Sequence, residues 1–339
     1  MKQALMTEPA KIVFQEVSVP EVGPKQVKLK IKRIGICGSD IHVFHGKHPY
    51  TSFPVVQGHE ISAEIIELGS EVTQVKTGQK VTVQPQVVCG ECIPCKSGMY
   101  HVCEELKVMG FQTTGMASDF FIVEEDKLTI LPDSIGWDEG AMIEPLAVAV
   151  HAAKRVPTLE GKNILVIGGG PIGNLVAQTT KALGAKKVVI AELSTARLKM
   201  AEACGIKTIN SSEEQLQEGI LRHFGAEKSD VIFECVGSSY TVAQAIEVAR
   251  KGSTIVVVGV VSDLTKVNMG YVQDHELTVL GSAMYQSIDF EKAVEMVLQG
   301  KIKMKELITN RFPFEDYLKA YVIIENNKDK VMKVMIEMV

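Results

Sequence analysis

The sequence predicts an α/β protein in which a doubly wound parallel sheet follows a β-rich half. Three observations carry this. From residue 163 onward, short apolar runs alternate with helical patterns, the signature of βαβ units. Over roughly the first 150 residues, apolar and polar positions alternate with the period of half-buried strands. A glycine-rich turn joins the first apolar strand of the second region to its helix.

Taken in order, "QVKLKIKRIG", "EISAEIIELG" and "KVTVQPQVV" read as strands separated by turn residues. "WDEGAMIEPLAVAVHAAKR" then reads as helical. "NILVIG" is a short buried strand, and "PIGNLVAQTTKALG" is a helix stopped by Gly184. "KKVVIAEL" is the next strand, and "TARLKMAEACG" the next helix, followed by "IKTIN". Further on come "SDVIFECVG", the helix "YTVAQAIEVARKG" and the strands "STIVVVGVV" and "ELTVLGSAM". A helix, "DFEKAVEMVLQG", and a strand, "KVMKVMIEM", close the chain.

The 339 residues are enough for two domains at about 100–200 residues each. A net charge of −5 without a basic stripe argues against nucleic acid as a partner. No apolar run approaches the roughly 18 residues of a membrane span, and "MKQALMTEPAKIVF" lacks a signal-peptide core. The expectation is a cytoplasmic protein without a membrane partner, whose clustered cysteines are metal ligands and not disulfides.

"GGGPIG" places Gly168, Gly170 and Gly173 at the spacing G-x-G-x-x-G, with Pro171 and Ile172 between the last two. The first glycine permits a tight turn, the second lets the backbone approach a pyrophosphate, and the third lets the helix pack on its strand. The helix start offers free N–H groups to the anion. Glu192 ends the following strand, where a carboxylate can accept from both ribose hydroxyls. This favours NAD over NADP, whose phosphate it would repel. Arg197 is a cation within reach of either the adenine or a phosphate.

Cys89, Cys92, Cys95 and Cys103 form C-x2-C-x2-C-x7-C, a spacing suited to tetrahedral zinc. Iron–sulfur runs share the first part of this pattern, but the fourth spacing and the lack of a following proline argue against them. Zinc held by four thiolates has no position left for a substrate. A second set supplies mixed donors: Cys37 in "GICGSDIH", then His59 and Glu60 in "VVQGHE". One thiolate, one imidazole and one carboxylate leave a zinc with an open position. Glu144, a carboxylate in the apolar "MIEPLAVAVHA", is a further candidate ligand, since buried carboxylates need partners. His45 and His48 in "HVFHGKH" read as polar loop residues.

The combination resembles the zinc-dependent medium-chain alcohol dehydrogenases, nearest their polyol, sorbitol and threonine dehydrogenase branch. It rests on "GICGSDIH", "GHE", the four-cysteine lobe, "EPLAVAVHA" and "GGGPIG" in the family's order. The resemblance implies a Rossmann domain (151–285) inserted into a GroES-like catalytic domain (1–150 and 286–339) that carries the zinc lobe (89–103). It implies two zinc ions per chain, one catalytic and one structural, together with NAD. Cys37 and His59 would bind the catalytic zinc, with Glu60 or Glu144 supplying the carboxylate and Asp40 orienting His59. Ser39 and His42 would carry the substrate proton outward. It also implies a homodimer or homotetramer. "GSAMYQ" has Met284-Tyr285 where sorbitol-type members often place Arg-Tyr, and the segment from Gly46 to Gln57 is short, so sorbitol itself is disfavoured. The expected activity is hydride transfer between a small-molecule secondary alcohol (a polyol, sugar acid or related metabolite) and NAD. The rivals are an NADPH-preferring reductase on the same scaffold and a nucleotide-sensing regulator without turnover.

Overall fold

A computed structural model describes residues 1–338, which divide into two compact units. One comprises Met1–Glu144, Gln286–Val294 and the chain from Ile308 on; the other comprises Pro145–Tyr285 and Glu295–Leu307.

The first unit is built on a seven-stranded sheet. Its central strand, Gln26–Ile36, pairs antiparallel with Glu60–Leu68 on one side and with Lys333–Glu337 on the other. The period-two pattern explains the central strand, because Val27, Leu29 and Ile31 are fully buried while the alternating residues are only partly covered. Each such side chain contributes about 1.5–3 kcal/mol on burial. The register sets Gly35 opposite Glu60 and Ile36 opposite Val334. The sheet therefore delivers Cys37, Glu60 and the C-terminal strand to one place.

In the second unit six parallel strands run in the order Lys207–Asn210, Lys187–Glu192, Asn163–Ile167, Val231–Glu234, Thr254–Val257, Thr278–Gly281. Numbered along the chain, this is 3-2-1-4-5-6, the doubly wound order whose ligands bind where the strand order reverses. The strand Asn163–Ile167 is buried at every residue, as a parallel strand covered on both faces must be.

Two elements differ from expectation, and proline is the reason in both. The helical stretch after residue 136 is two helices, Trp137–Ala141 and Ile143–Lys154. Pro145 has no N–H to donate to the Ala141 carbonyl, so one continuous helix cannot form there. "KVTVQPQVV" is likewise two strands, Lys80–Val83 and Gln86–Val87, on either side of Gln84-Pro85. The helices Gly38–Phe44, Leu216–Phe224, Met269–Asp274 and Tyr317–Asn326 have no counterpart in the sequence reading.

Candidate active site

The four-thiol segment folds on itself through a short helix, Ile93–Lys96, and a turn of 3-10 helix, Tyr100–Val102. Pro94 near the helix start suits a position whose N–H has no helical acceptor. The sulfurs of Cys89, Cys92, Cys95 and Cys103 all lie within 4.8 Å of one another. The Sγ–Sγ separation is 3.5 Å for Cys103 to Cys89 and 3.8 Å for Cys92 to Cys103. A tetrahedral zinc with ligands about 2.3 Å away sets its sulfurs roughly 3.8 Å apart, whereas a disulfide needs about 2.05 Å. Backbone N–H groups of Cys89 and Glu105 point at the Cys103 sulfur, and those of Glu91 and Cys92 at the Cys89 sulfur, at 3.3–3.4 Å. Backbone donors of Glu104 and Cys95 lower the Cys92 thiol to about 7, while desolvation and the neighbouring Cys92 push Cys95 up to about 12. Four sulfurs gathered at this spacing form a cage for a cation, and the donor set fits zinc.

The second cluster is assembled from strand ends. Cys37 follows the central strand and caps the helix Gly38–Phe44, its N–H donating to Asp40 Oδ2 at 2.8 Å. Glu60 opens the neighbouring strand, and His59 immediately precedes it. Donor atoms of Cys37, His59 and Glu60 lie within 4.8 Å of one another. Among the described residues these are the two groups of three or more His, Cys, Asp or Glu side chains placed to hold a metal. His59 and Glu60 are buried and Cys37 is half-buried, so this centre is far more enclosed than the cysteine lobe. Gly35 makes it possible: a Cβ there would stand 2.2 Å from Glu60 Oε2.

Charge governs this pocket. Burial alone would lower the His59 imidazole, but the charge of the nearby Asp40 carboxylate and Cys37 outweigh it and hold it well above the usual histidine range. Asp40 Oδ1 lies 3.5 Å from His59 Nδ1. The structure adds a group absent from the sequence reading. Lys333 Nζ donates to both Glu60 oxygens, at 2.7 and 2.6 Å, and to the Ile36 carbonyl at 3.2 Å. Burial opposes its charge, but Glu60 and Cys37 outweigh that and raise its pKa. The signal was present in "KVMKVMIEM": a lysine inside a buried apolar strand must carry its partner with it. Glu144 is buried in the first turn of its helix, outside the group of three, yet near enough for its charge to raise the Lys333 pKa.

Ser39 is half-buried and His42 exposed, three residues apart on one helix. Of the loop histidines, His45 pairs with Glu325 at 3.0 Å. His48 instead stacks on Phe111 (4.8 Å between ring centroids), and Phe111 in turn packs on His59 at 4.9 Å. His48 is thus one ring away from the metal cluster, a placement that its loop-like sequence context does not convey.

In the second unit Gly168 has φ +100° and follows the first strand directly. Gly170 caps the helix Pro171–Ala182, with Pro171 and Ile172 in its first turn. A Cβ on Gly173 would come 1.9 Å from the Gly168 carbonyl oxygen, so only glycine lets the helix approach this closely. Glu192 accepts from the N–H groups of Gly169, Leu193 and Ser194 at 2.7–2.9 Å, which ties the end of the second strand to the glycine turn. Arg197 Nη1 lies 3.9 Å from Glu192 Oε2 and faces Gly170, on the turn itself. Glu234, fully buried at the end of the fourth strand, accepts from Val236 and Gly237 N–H and from Thr241 Oγ1.

A doubly wound nucleotide fold joined to a sheet that carries one four-thiol and one mixed-donor metal cluster defines a two-zinc dehydrogenase. Residues 23–133 match the family described as Alcohol dehydrogenase GroES-like domain, and residues 171–299 match Zinc-binding dehydrogenase. The chain is 33% identical over 327 residues to 2-dehydro-3-deoxy-L-galactonate 5-dehydrogenase of Pseudoalteromonas atlantica, covering 96% of this chain and 95% of that one. It is 34% identical over 326 residues to sorbitol dehydrogenase 1 of Saccharomyces cerevisiae, covering 91% and 90%. The solved structure of galactitol-1-phosphate dehydrogenase from Escherichia coli superposes with a TM-score of 0.92 at 30% identity, over 99% of this chain and 100% of that one. The chain belongs to the zinc-binding medium-chain dehydrogenase family and is a zinc-dependent oxidoreductase. Among the described residues no helix is long and apolar enough to cross a membrane.

Proposed function

We propose that the protein oxidises a secondary alcohol on a polyol, sugar acid or related metabolite with NAD, and catalyses the reverse reduction. The observation that carries this reading is the cluster of half-buried Cys37 with buried His59 and Glu60, in a chain that also has a glycine-turn nucleotide site. Relatives named for galactonate derivatives and sorbitol support the substrate class.

Cys37, His59 and Glu60 would hold the catalytic zinc, with Glu144 the second nearby carboxylate. When bound there, zinc supplies Lewis acidity that makes a substrate hydroxyl easier to deprotonate. His59 must coordinate through a lone pair, so its other nitrogen carries the proton and faces Asp40. Half-buried Ser39 would take the hydroxyl proton while giving up its own, and exposed His42, one helical turn further on, would pass a proton to water. Lys333 balances the Glu60 charge, so the pocket does not accumulate two uncompensated anions from Cys37 and Glu60. Phe111 and His48 form a ring wall beside His59 that keeps water from that side of the cluster.

For the coenzyme, Glu192 supports NAD: its oxygens sit at the glycine turn, where a second negative group on the ribose would be repelled. Gly168, Gly170, Pro171, Ile172 and Gly173 would cradle the pyrophosphate, with Arg197 adding a cation at the turn. The edge strand Thr278–Gly281, with Val279 exposed, supports pairing with a copy of itself in a homodimer or homotetramer. The test is a panel of polyols, aldonates and amino alcohols assayed for NADH and NADPH formation. NADH formation with at least one polyol or aldonate is expected. Turnover with NADP alone would support the reductase reading, and nucleotide binding without turnover would support a regulator.

A further inference from the structure

The carboxylate that faces His59 does not stand alone. Asp40 is 1% exposed and is gripped from two sides. Its Oδ2 accepts the Cys37 N–H at 2.8 Å, and its Oδ1 accepts Gln57 Nε2 at 3.1 Å. The Gln57 amide is itself buried, and its Oε1 accepts the hydroxyl of Tyr321 at 2.8 Å. Tyr321 is fully buried on the C-terminal helix Tyr317–Asn326, 264 residues away along the chain, with its ring stacked on Phe44 at 4.9 Å. The donors run in one direction: Tyr321 O–H to the Gln57 carbonyl, Gln57 N–H to the Asp40 carboxylate. An inverted amide would turn its oxygen toward Asp40, which a carboxylate does not tolerate at this distance. Burial, together with the nearby Tyr317 and Asp40, raises the Tyr321 phenol well above its ordinary range, so it remains a donor.

Resting on the reading of Cys37, His59 and Glu60 as a metal centre, we propose that Gln57 and Tyr321 are positioning residues for it. They lock the Asp40 carboxylate in the orientation that keeps the proton of His59 on Nδ1 and leaves Nε2 for the metal. Nothing in the "VVQGHE" motif alone distinguishes Gln57 from an ordinary strand-edge amide; only its partner from the far end of the chain does. Outer partners of metal-bound histidines set ligand basicity and orientation, and losing one costs about 10–100-fold in metal affinity.

The experiment measures zinc affinity by competition with a chromophoric chelator, and the visible spectrum after cobalt(II) substitution. The wild type is compared with Gln57→Leu, Tyr321→Phe and Phe44→Leu. The wild type should hold two metals. Gln57→Leu and Tyr321→Phe should each weaken one of them by about tenfold or more, shift the cobalt bands of that site and leave the four-cysteine metal untouched. Phe44→Leu, which disturbs the packing of Tyr321 but not its hydrogen bond, should lower thermal stability and leave both affinities in place. Tyr321→Phe carries the test should Gln57→Leu not fold. Unchanged affinity and spectra in the hydrogen-bond variants, or an equal loss in Phe44→Leu, would overturn the proposal. A wild-type protein with a single zinc, lost on Cys95→Ser, would instead overturn the reading of the metal centre and this inference with it.

Discussion

The two metal clusters are built by opposite means. The cysteine lobe draws four ligands of one kind from fifteen consecutive positions, and three of its four sulfurs belong to half-exposed residues. The Cys37, His59 and Glu60 cluster takes three kinds of donor from two strands and a helix cap, and a third strand from the far end of the chain supplies Lys333. A local, homogeneous cage can close around an ion and hold a loop. A mixed cage on rigid strand ends leaves coordination unfilled and keeps its donors fixed by the sheet, which chemistry at an open position requires.

The sharpest way to break this contrast is to remove one sulfur from each cluster. Cys37→Ser is expected to reduce hydride transfer by more than the roughly 100-fold that loss of an outer partner can cost, with one zinc lost and the melting temperature little changed. Steady-state kinetics, metal analysis and calorimetry on the same preparation check this. Cys95→Ser should do the reverse. About 5 kcal/mol of lost metal-linked stability lowers Tm by roughly 10–20 °C, while the remaining zinc stays bound. A stable Cys95→Ser protein that lacks one zinc would remove the structural role assigned to the lobe.

A finer probe is Lys333→Met. In the zinc-free protein it strands the Glu60 carboxylate in a site 1% exposed, which costs about 3 kcal/mol or more. A Tm loss of roughly 6–12 °C follows, read by thermal unfolding. Lys333→Arg should recover part of it, since a cation remains opposite Glu60. No comparable penalty is expected for removing a charged neighbour of the half-exposed cysteine lobe.

The smallest effect lies in the other unit and serves as a control. Asp230 accepts from the Asn163 N–H at 2.7 Å and pairs with Arg250. Burial opposes its charge, but the Asn163 N–H and Arg250 outweigh that and lower its pKa. A carboxyl depressed on folding adds stability that is fully present above its unfolded pKa of about 3.9. That stability disappears as pH falls through the folded value. Asp230→Asn should therefore melt slightly below the wild type near neutral pH, with the gap closing in acid. A gap that widened on acidification would contradict this pairing.

Much of the molecule was legible from local pattern. Period-two strands, βαβ alternation and the glycine turn defined both halves, and the four cysteines announced their cage by spacing alone. Where local pattern misjudged element boundaries, the chain contained a proline, as at Pro85 and Pro145; short helices such as Leu216–Phe224 and Met269–Asp274 it did not register, and the ring that His48 packs on, Phe111, comes from elsewhere in the chain.

What the sequence by itself determined, then, is everything set by neighbours a few residues apart: periodicity, turn chemistry and the chelating spacing of Cys89 to Cys103. Tertiary packing decided the rest. Strand register set Gly35 against Glu60 and laid Lys333 on the Glu60 carboxylate, and the packing of the helix Tyr317–Asn326 brought Tyr321 to Gln57 from the opposite end of the chain. A buried charge or amide selects its partner by proximity in space, and that proximity exists only once the sheet has closed.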